Sequence, residues 1–205
     1  MEKRSQMAQP RIEFWFEFAS TYAYLSAMRL PELARAKGVE VVWRPFLLGP
    51  IFQTQGWKTS PFNIYPAKGA YMWRDMSRRA AEEGLEIQRP DPFPQNGLLA
   101  ARVAQCLPQG DRMQAFCQQV YLKEFSERQD ISDPSVVAAC ADAAGLDVTI
   151  LDIAQSASNK DALRQATQEA QARGIFGAPS FFVGDELFWG DDRLDAALDL
   201  AVQSD

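Results

Sequence analysis

An α/β fold carrying an all-helical insertion is predicted by three observations on this 205-residue chain. Near the C-terminus, Gly174-Ile-Phe-Gly-Ala-Pro-Ser-Phe-Phe-Val183 sets a proline before an apolar β-run. Gly184-Asp-Glu-Leu-Phe188 then gives a turn and a second short run, and Trp189-Gly-Asp-Asp-Arg-Leu194 opens a helix, so the chain closes on a ββα unit. Near the N-terminus, residues 11–46 read as strand, helix and strand, while the stretch between about Leu47 and Gln165 carries helical patterning only.

Each element has its own reason. Arg11 to Phe18 alternates in the manner of a strand, and Thr21 to Lys37 sets Tyr24, Leu25, Met28 and Leu33 at helical spacing. Gly38 stops that helix, and Val39 to Phe46 reads as a second strand. So short a crossover implies parallel strands. Helices are expected over Ala67–Glu83, Gly97–Cys106, Asp111–Phe125, Pro134–Ala144 and Val148–Ala157, with Pro, Gly and Asp breakers between them. Ser132-Asp-Pro marks a helix start and Gly145 a helix stop. The two ends together make a four-stranded thioredoxin-like core, residues 11–48 and 166–203, interrupted by a helical domain over residues 49–165. The crevice between the two parts is the expected ligand site.

Composition narrows the chemistry. Lys plus Arg is 21 against 27 Asp plus Glu, a net charge of −6, and no stretch gathers the basic residues into a footprint for nucleic acid. No apolar run approaches the roughly 20 residues needed to cross a bilayer. Met1 to Arg11 is polar, so a cytoplasmic protein without a membrane partner is expected. Cys106, Cys117 and Cys140 lie in helical-looking sequence without a Cys-x-x-Cys, which predicts reduced structural thiols. The absence of histidine excludes a Ser-His triad, an imidazole base and a His-rich metal site, and no metal is expected.

In a thioredoxin-like fold, chemistry sits where the first strand runs into the first helix, because helix N–H groups and the helix dipole stabilise a thiolate there. That junction is Phe18-Ala-Ser20-Thr-Tyr22-Ala23-Tyr24. Ser20 and Ala23 stand where a redox enzyme needs cysteines, so dithiol exchange is excluded. Ser20 is expected both to cap the helix and to offer its hydroxyl to a bound thiolate. Tyr22 and Tyr24 read as packing residues, with one hydroxyl available to face substrate. Pro179 is expected to be cis, turning the Ala178 N–H and C=O outward to pair with an extended peptide. Of Asp191 and Asp192, one is expected to cap the last helix and the other to hold an ammonium group; the sequence does not rank them. Asn63, Lys68, Arg74 and Asn96 sit among aromatics and prolines that predict an ordered wall.

Combined, Glu17-Phe-Ala-Ser-Thr-Tyr-Ala-Tyr-Leu25, Arg44-Pro-Phe-Leu-Leu-Gly49, Pro66-Ala-Lys-Gly-Ala-Tyr71, Asp130-Ile-Ser-Asp133, Gly174 to Val183 and Phe188-Trp-Gly-Asp-Asp-Arg-Leu194 carry a resemblance. From Ile12 to Val202 the chain resembles the 2-hydroxychromene-2-carboxylate isomerases, relatives of kappa-class glutathione transferases and of DsbA-like oxidoreductases with a helical insertion. The resemblance implies glutathione as cofactor, with Ser20 contacting its sulfur and Ala178-Pro179 pairing with its cysteinyl part. It also implies that Asp191 and Asp192 receive the γ-glutamyl end and that Lys68, with Asn63, lies near the glycyl end. Tyr22, Tyr24, Arg74 and Asn96 are then left for the substrate, an aromatic α-keto acid or another electrophile. The implied reaction is reversible thiolate addition to a conjugated double bond, rotation and elimination. Thr21 departs from the family's Ser-Pro-Tyr, and since proline suits the first helical position without being required, the geometry is expected to survive. A kappa-like transferase that releases the adduct, and a non-catalytic thioredoxin-fold binding module, are the alternatives. A homodimer is plausible by the same resemblance.

Overall fold

The structure is a computed structural model and describes residues 9–147 and 149–204. Its sheet has four strands, β1 (Arg11–Phe16), β2 (Glu40–Pro45), β3 (Ser180–Val183) and β4 (Glu186–Trp189), in the order β2-β1-β3-β4. β1 runs parallel to β2, with Phe14 opposite Trp43, and antiparallel to β3, with Phe14 opposite Phe181; β3 and β4 are antiparallel. This is the expected thioredoxin-like arrangement.

β1 is the central strand and is buried on both faces. Ile12, Phe14 and Phe16 point into the larger core with Trp43 and Phe181, and Trp15 points into a second core with Phe46, Ile51, Ala170 and Phe182. The strand ends two residues sooner than expected. The Ser20 N–H donates to the Glu17 carbonyl at 3.1 Å, and that turn frees Glu17, Phe18 and Ala19 from the ladder.

Helix α1 (Thr21–Lys37) has the expected bounds. Gly38 takes the left-handed conformation at φ 69°, and its N–H reaches the Ala34 and Arg35 carbonyls, a stop for which glycine is suited. Pro31 lies inside this helix and has no N–H to give the Ala27 carbonyl. The Gln118 side-chain amide donates to that carbonyl at 3.1 Å, so the gap left by proline becomes a tie between α1 and the insertion.

The rest of the helices are α2 (Leu48–Thr54), α3 (Pro61–Ile64), α4 (Pro66–Glu82), α5 (Leu98–Cys106), α6 (Asp111–Phe125), α7 (Pro134–Ala143), α8 (Ile150–Ala154), α9 (Ala157–Ala172) and α10 (Leu194–Gln203). Asp133 caps α7 through the Ser135 N–H, with Pro134 next, as the Ser-Asp-Pro signal implies. The helix expected over Val148–Ala157 is α8 alone, and Val148 lies outside the described residues. It breaks at Ser156, which caps α9 by accepting from the Asn159 N–H at 3.3 Å. α9 packs against β2 and α2 and runs without interruption across residue 165, where the sequence suggested the core would resume. Among the described residues no helix is long and apolar enough to cross a membrane.

Candidate active-site cleft

The cleft opens between the turn after β1, the loop before β3, helices α2 to α4 and the segment just before α5, and its volume is about 830 Å³. Ser20 sits on it at the N-terminus of α1. Its Oγ accepts from the Ala23 N–H at 3.2 Å and donates to the Ala178 carbonyl at 2.8 Å. The first bond caps the helix, and the second ties the cap to the loop before β3. The position next to the cap is Thr21, whose hydroxyl reaches the Met72 sulfur of α4 at 3.4 Å.

The Ala178-Pro179 peptide is cis. The Pro179 carbonyl accepts from the Gly190 N–H at 3.0 Å, which anchors the loop behind the cleft. The Trp189 indole lies across Gly177, so closely that a Cβ there would collide with its nitrogen, and it packs against Phe176 with ring centroids 4.8 Å apart. Both rings are about half exposed and line the cleft. Phe52, Trp57 and Phe62 continue this aromatic lining.

The DSBA-like thioredoxin domain family matches residues 11–201. The 2-hydroxychromene-2-carboxylate isomerase of Sphingobium xenophagum is 33% identical over 188 residues, 90% of this chain and 94% of that protein. The chain belongs to the 2-hydroxychromene-2-carboxylate isomerase family, within the DsbA-like thioredoxin domains. Human glutathione S-transferase kappa 1 is 23% identical over 199 residues, 90% of this chain and 87% of that one. A solved 2-hydroxychromene-2-carboxylate isomerase structure shares the fold, with a TM-score of 0.84 at 24% identity, covering 95% of each chain.

In this isomerase-family chain, seven of the residues expected at the site line the cleft: Ser20, Tyr22, Lys68, Asn96, Ala178, Asp191 and Asp192. Tyr22 donates its hydroxyl to Asp75 at 3.0 Å, and burial together with that carboxylate pushes its pKa up. Asn96 uses its side-chain oxygen to accept from the Leu98 N–H at 3.1 Å. Lys68 lies over the Phe62 ring, 5.6 Å from its centroid.

Four expected residues lie off the cleft lining, among them Pro179, which stands behind Ala178. Tyr24 is fully buried and donates to the Glu86 carbonyl at 2.8 Å, because its position on α1 faces the core with Tyr121 and Phe125. Arg74 is exposed and outside the lining. Asn63 ties α3 to the neighbouring loop by donating to Thr59 and, at 3.0 Å, to the Phe93 carbonyl.

The two aspartates also differ from expectation, since neither caps α10. Residues 191–193 form a 3₁₀ turn, and Arg193 takes the cap position without a side-chain bond. Asp191 has a side chain only 1% exposed. It accepts from Ser26 at 2.7 Å and pairs with Arg29 at 3.3 Å and with Arg79. Asp192 lies on the cleft rim with its side chain 56% exposed and pairs there with the similarly exposed Arg193 at 3.3 Å.

The sequence reading assigned no role to Glu17, yet this residue lines the cleft and is 8% exposed. Oε2 accepts from the Leu48 N–H at 2.9 Å, and burial, partly offset by backbone N–H groups of Leu48, Ala19 and Phe18, raises its pKa to about 7. The signal was available: a single acid in the otherwise apolar Phe14-Trp-Phe-Glu-Phe-Ala19. Arg79 was missed too, because its partner Asp191 is 112 positions away.

Proposed function

We propose that this chain is a glutathione-dependent cis-trans isomerase acting on a conjugated aromatic α-keto acid, of the 2-hydroxychromene-2-carboxylate type. One observation carries the reading. A serine hydroxyl stands at the N-terminus of a 17-residue helix, on the cleft, in a chain without histidine and with alanine where a second cysteine would have to be. Such a position stabilises a sulfur anion and offers nothing that could exchange a disulfide.

The residues present fit the tripeptide. The Ala178 N–H has no partner among the described residues and suits the cysteinyl backbone. Asp192 suits the γ-glutamyl ammonium, because Asp191 is already enclosed by Ser26, Arg29 and Arg79. Lys68 and Lys58 suit the carboxylate at the glycyl end. When bound, glutathione would supply a thiolate able to add reversibly to the conjugated double bond.

The chain's own residues prepare that chemistry. The Ser20 hydroxyl rotates from the Ala178 carbonyl toward the sulfur, while the Ala23 N–H at its oxygen makes it a better donor. Phe176, Trp189, Phe52 and Trp57 give a flat aromatic acid apolar surface and hold it against the sulfur. The likeness to human glutathione S-transferase kappa 1 favours a second reading, in which the adduct is released.

The test is difference absorbance at the thiolate band while glutathione is titrated into wild type and Ser20→Ala, followed by isomerisation of 2-hydroxychromene-2-carboxylate with and without glutathione. The reading expects a thiol pKa well below the free value in wild type, a return toward it in the variant, and turnover only with glutathione. Binding without a shifted thiol overturns it. A lowered thiol pKa with adduct formation and no isomerisation favours the transferase.

A further inference from the structure

Behind Ser20 lies a group of acids that pair with no cation among the described residues. Glu17 closes the turn that leads into α1, and its carboxyl reaches the cleft wall between Leu48 and Gly97; a Cβ on Gly97 would stand 3.5 Å from Oε1. The carboxyl forms no ion pair among the described residues. The groups that face it are acids or neutral. α6 presents Tyr121, whose hydroxyl donates to the Glu17 carbonyl at 3.1 Å, with Cys117 and Glu124 beside it. Asp130 follows in the next loop, α2 offers only the Leu48 N–H, and the segment before α5 offers Gln95 and Gly97.

Glu124 is completely buried, and neither of its carboxyl oxygens has a hydrogen-bond partner among the described residues. A charge there would be paired with nothing, so burial and the neighbouring Glu17 and Asp130 hold its pKa well above the usual carboxylate range. With no donor at its oxygens and Glu17 beside it, Glu124 keeps its proton in preference to Glu17. Of the two acids, Glu17 is the one on the cleft, and it is the one able to change charge near neutral pH.

We propose that the Glu17 carboxylate is the acceptor of the thiol proton at this cleft, so that the protein retains that proton while the sulfur is ionised. The inference rests on the glutathione reading above. The S–H bond breaks, its electron pair stays on sulfur, and the proton bonds to a Glu17 oxygen; on release the proton returns and no other reactant is needed. Two anions held close together in a poorly hydrated site repel, and one proton shared between sulfur and carboxyl removes the repulsion. Ser20 then acts as donor to the sulfur, and Glu17 as the store for the proton.

The experiment is a proton count. Glutathione is mixed with wild type, Glu17→Gln and Glu124→Gln at slightly alkaline pH in weakly buffered solution containing an indicator dye, with the thiolate band recorded in parallel. Wild type is expected to form thiolate while releasing well under one proton per thiolate. Glu17→Gln is expected either to release a full proton per thiolate or to leave the thiol unionised, and Glu124→Gln to behave as wild type. A full proton released by wild type overturns the proposal while leaving glutathione binding intact. Loss of retention in Glu124→Gln but not in Glu17→Gln also overturns it. No glutathione binding by folded wild type overturns the functional reading itself, a result distinct from both. The wild-type count stands even where a variant fails to fold.

Discussion

The Ser20 hydroxyl donates to the Ala178 carbonyl across 2.8 Å and thereby joins two residues 158 positions apart in the chain. The same oxygen accepts from the Ala23 N–H. One side chain thus fixes the start of α1 and aligns it with the loop before β3, the two backbone segments that must agree in position if a peptide is to lie between them.

Ser20→Ala removes both bonds. Loss of a helix cap costs about 1 kcal/mol, and a drop in Tm of roughly 2–4 °C is expected for a chain of this size. Differential scanning calorimetry reads it, with circular dichroism to show the fold retained. Ser20→Thr, which can cap, should recover most of the loss.

Glu17 gives stability a pH dependence with a definite sign. Its pKa rises from 4.5 to about 7 on folding, so the folded chain holds a proton that the unfolded chain releases in this window. The contribution is fully present below about 4.5 and is lost as pH rises through about 7. At about 1.4 kcal/mol per unit it amounts to no more than about 3.5 kcal/mol. Urea unfolding at several pH values should show stability falling across this window, and Glu17→Gln should flatten the fall. Burial and the neighbouring acids raise Glu124 as well, a contribution of the same sign, so part of the decline should remain in that variant.

Gly177→Ala tests the rim. The backbone at this position has no need of glycine's left-handed freedom, and the nearest obstacle is the Trp189 indole lying over it. The added methyl should move the indole, change the tryptophan emission and weaken glutathione binding several-fold, with stability lowered by about 1–3 kcal/mol as for other overpacked sites. Unchanged emission would show that the loop shifts instead.

Asp191 should behave as a structural charge. Asp191→Ala takes from Arg79 its carboxylate partner, while Arg29 keeps Glu83 at 2.9 Å and Asp195 at 3.5 Å, and should cost up to about 3 kcal/mol. Asp191→Asn keeps the Ser26 bond and should cost less. Asp192→Asn should leave the denaturation midpoint where it is and weaken only binding of the ligand's ammonium end, measured by calorimetric titration with glutathione and with its des-γ-glutamyl form.

Periodicity made the core legible. Thr21–Lys37 and Asp111–Phe125 were read to the residue because large apolar side chains recur along them and clear stop or start signals stand at their ends. α9 escaped because Ala157–Ala172 has one large apolar residue, Leu163, and buries Thr167 and Ala170 instead. At the site, Ser20, Ala178 and Lys68 come together because motif position determines where they stand. Tyr24 does not, since two residues along a helix turn a side chain by more than half a revolution from Tyr22. Glu17, Arg79 and the role of Asp191 depend on contacts between distant segments, which spacing within one segment cannot express.

All three cysteines of this chain are free, with Cys117 and Cys140 buried and Cys106 partly so, and burial raises the pKa of each. Thiolates attack and thiols do not, so the native protein offers electrophiles almost no sulfur of its own. An alkylating reagent added in the presence of one equivalent of tripeptide would therefore report on the guest and scarcely at all on the host. The enclosure of these side chains gives the cleft a dark background against which a single foreign sulfur can be timed, titrated and trapped.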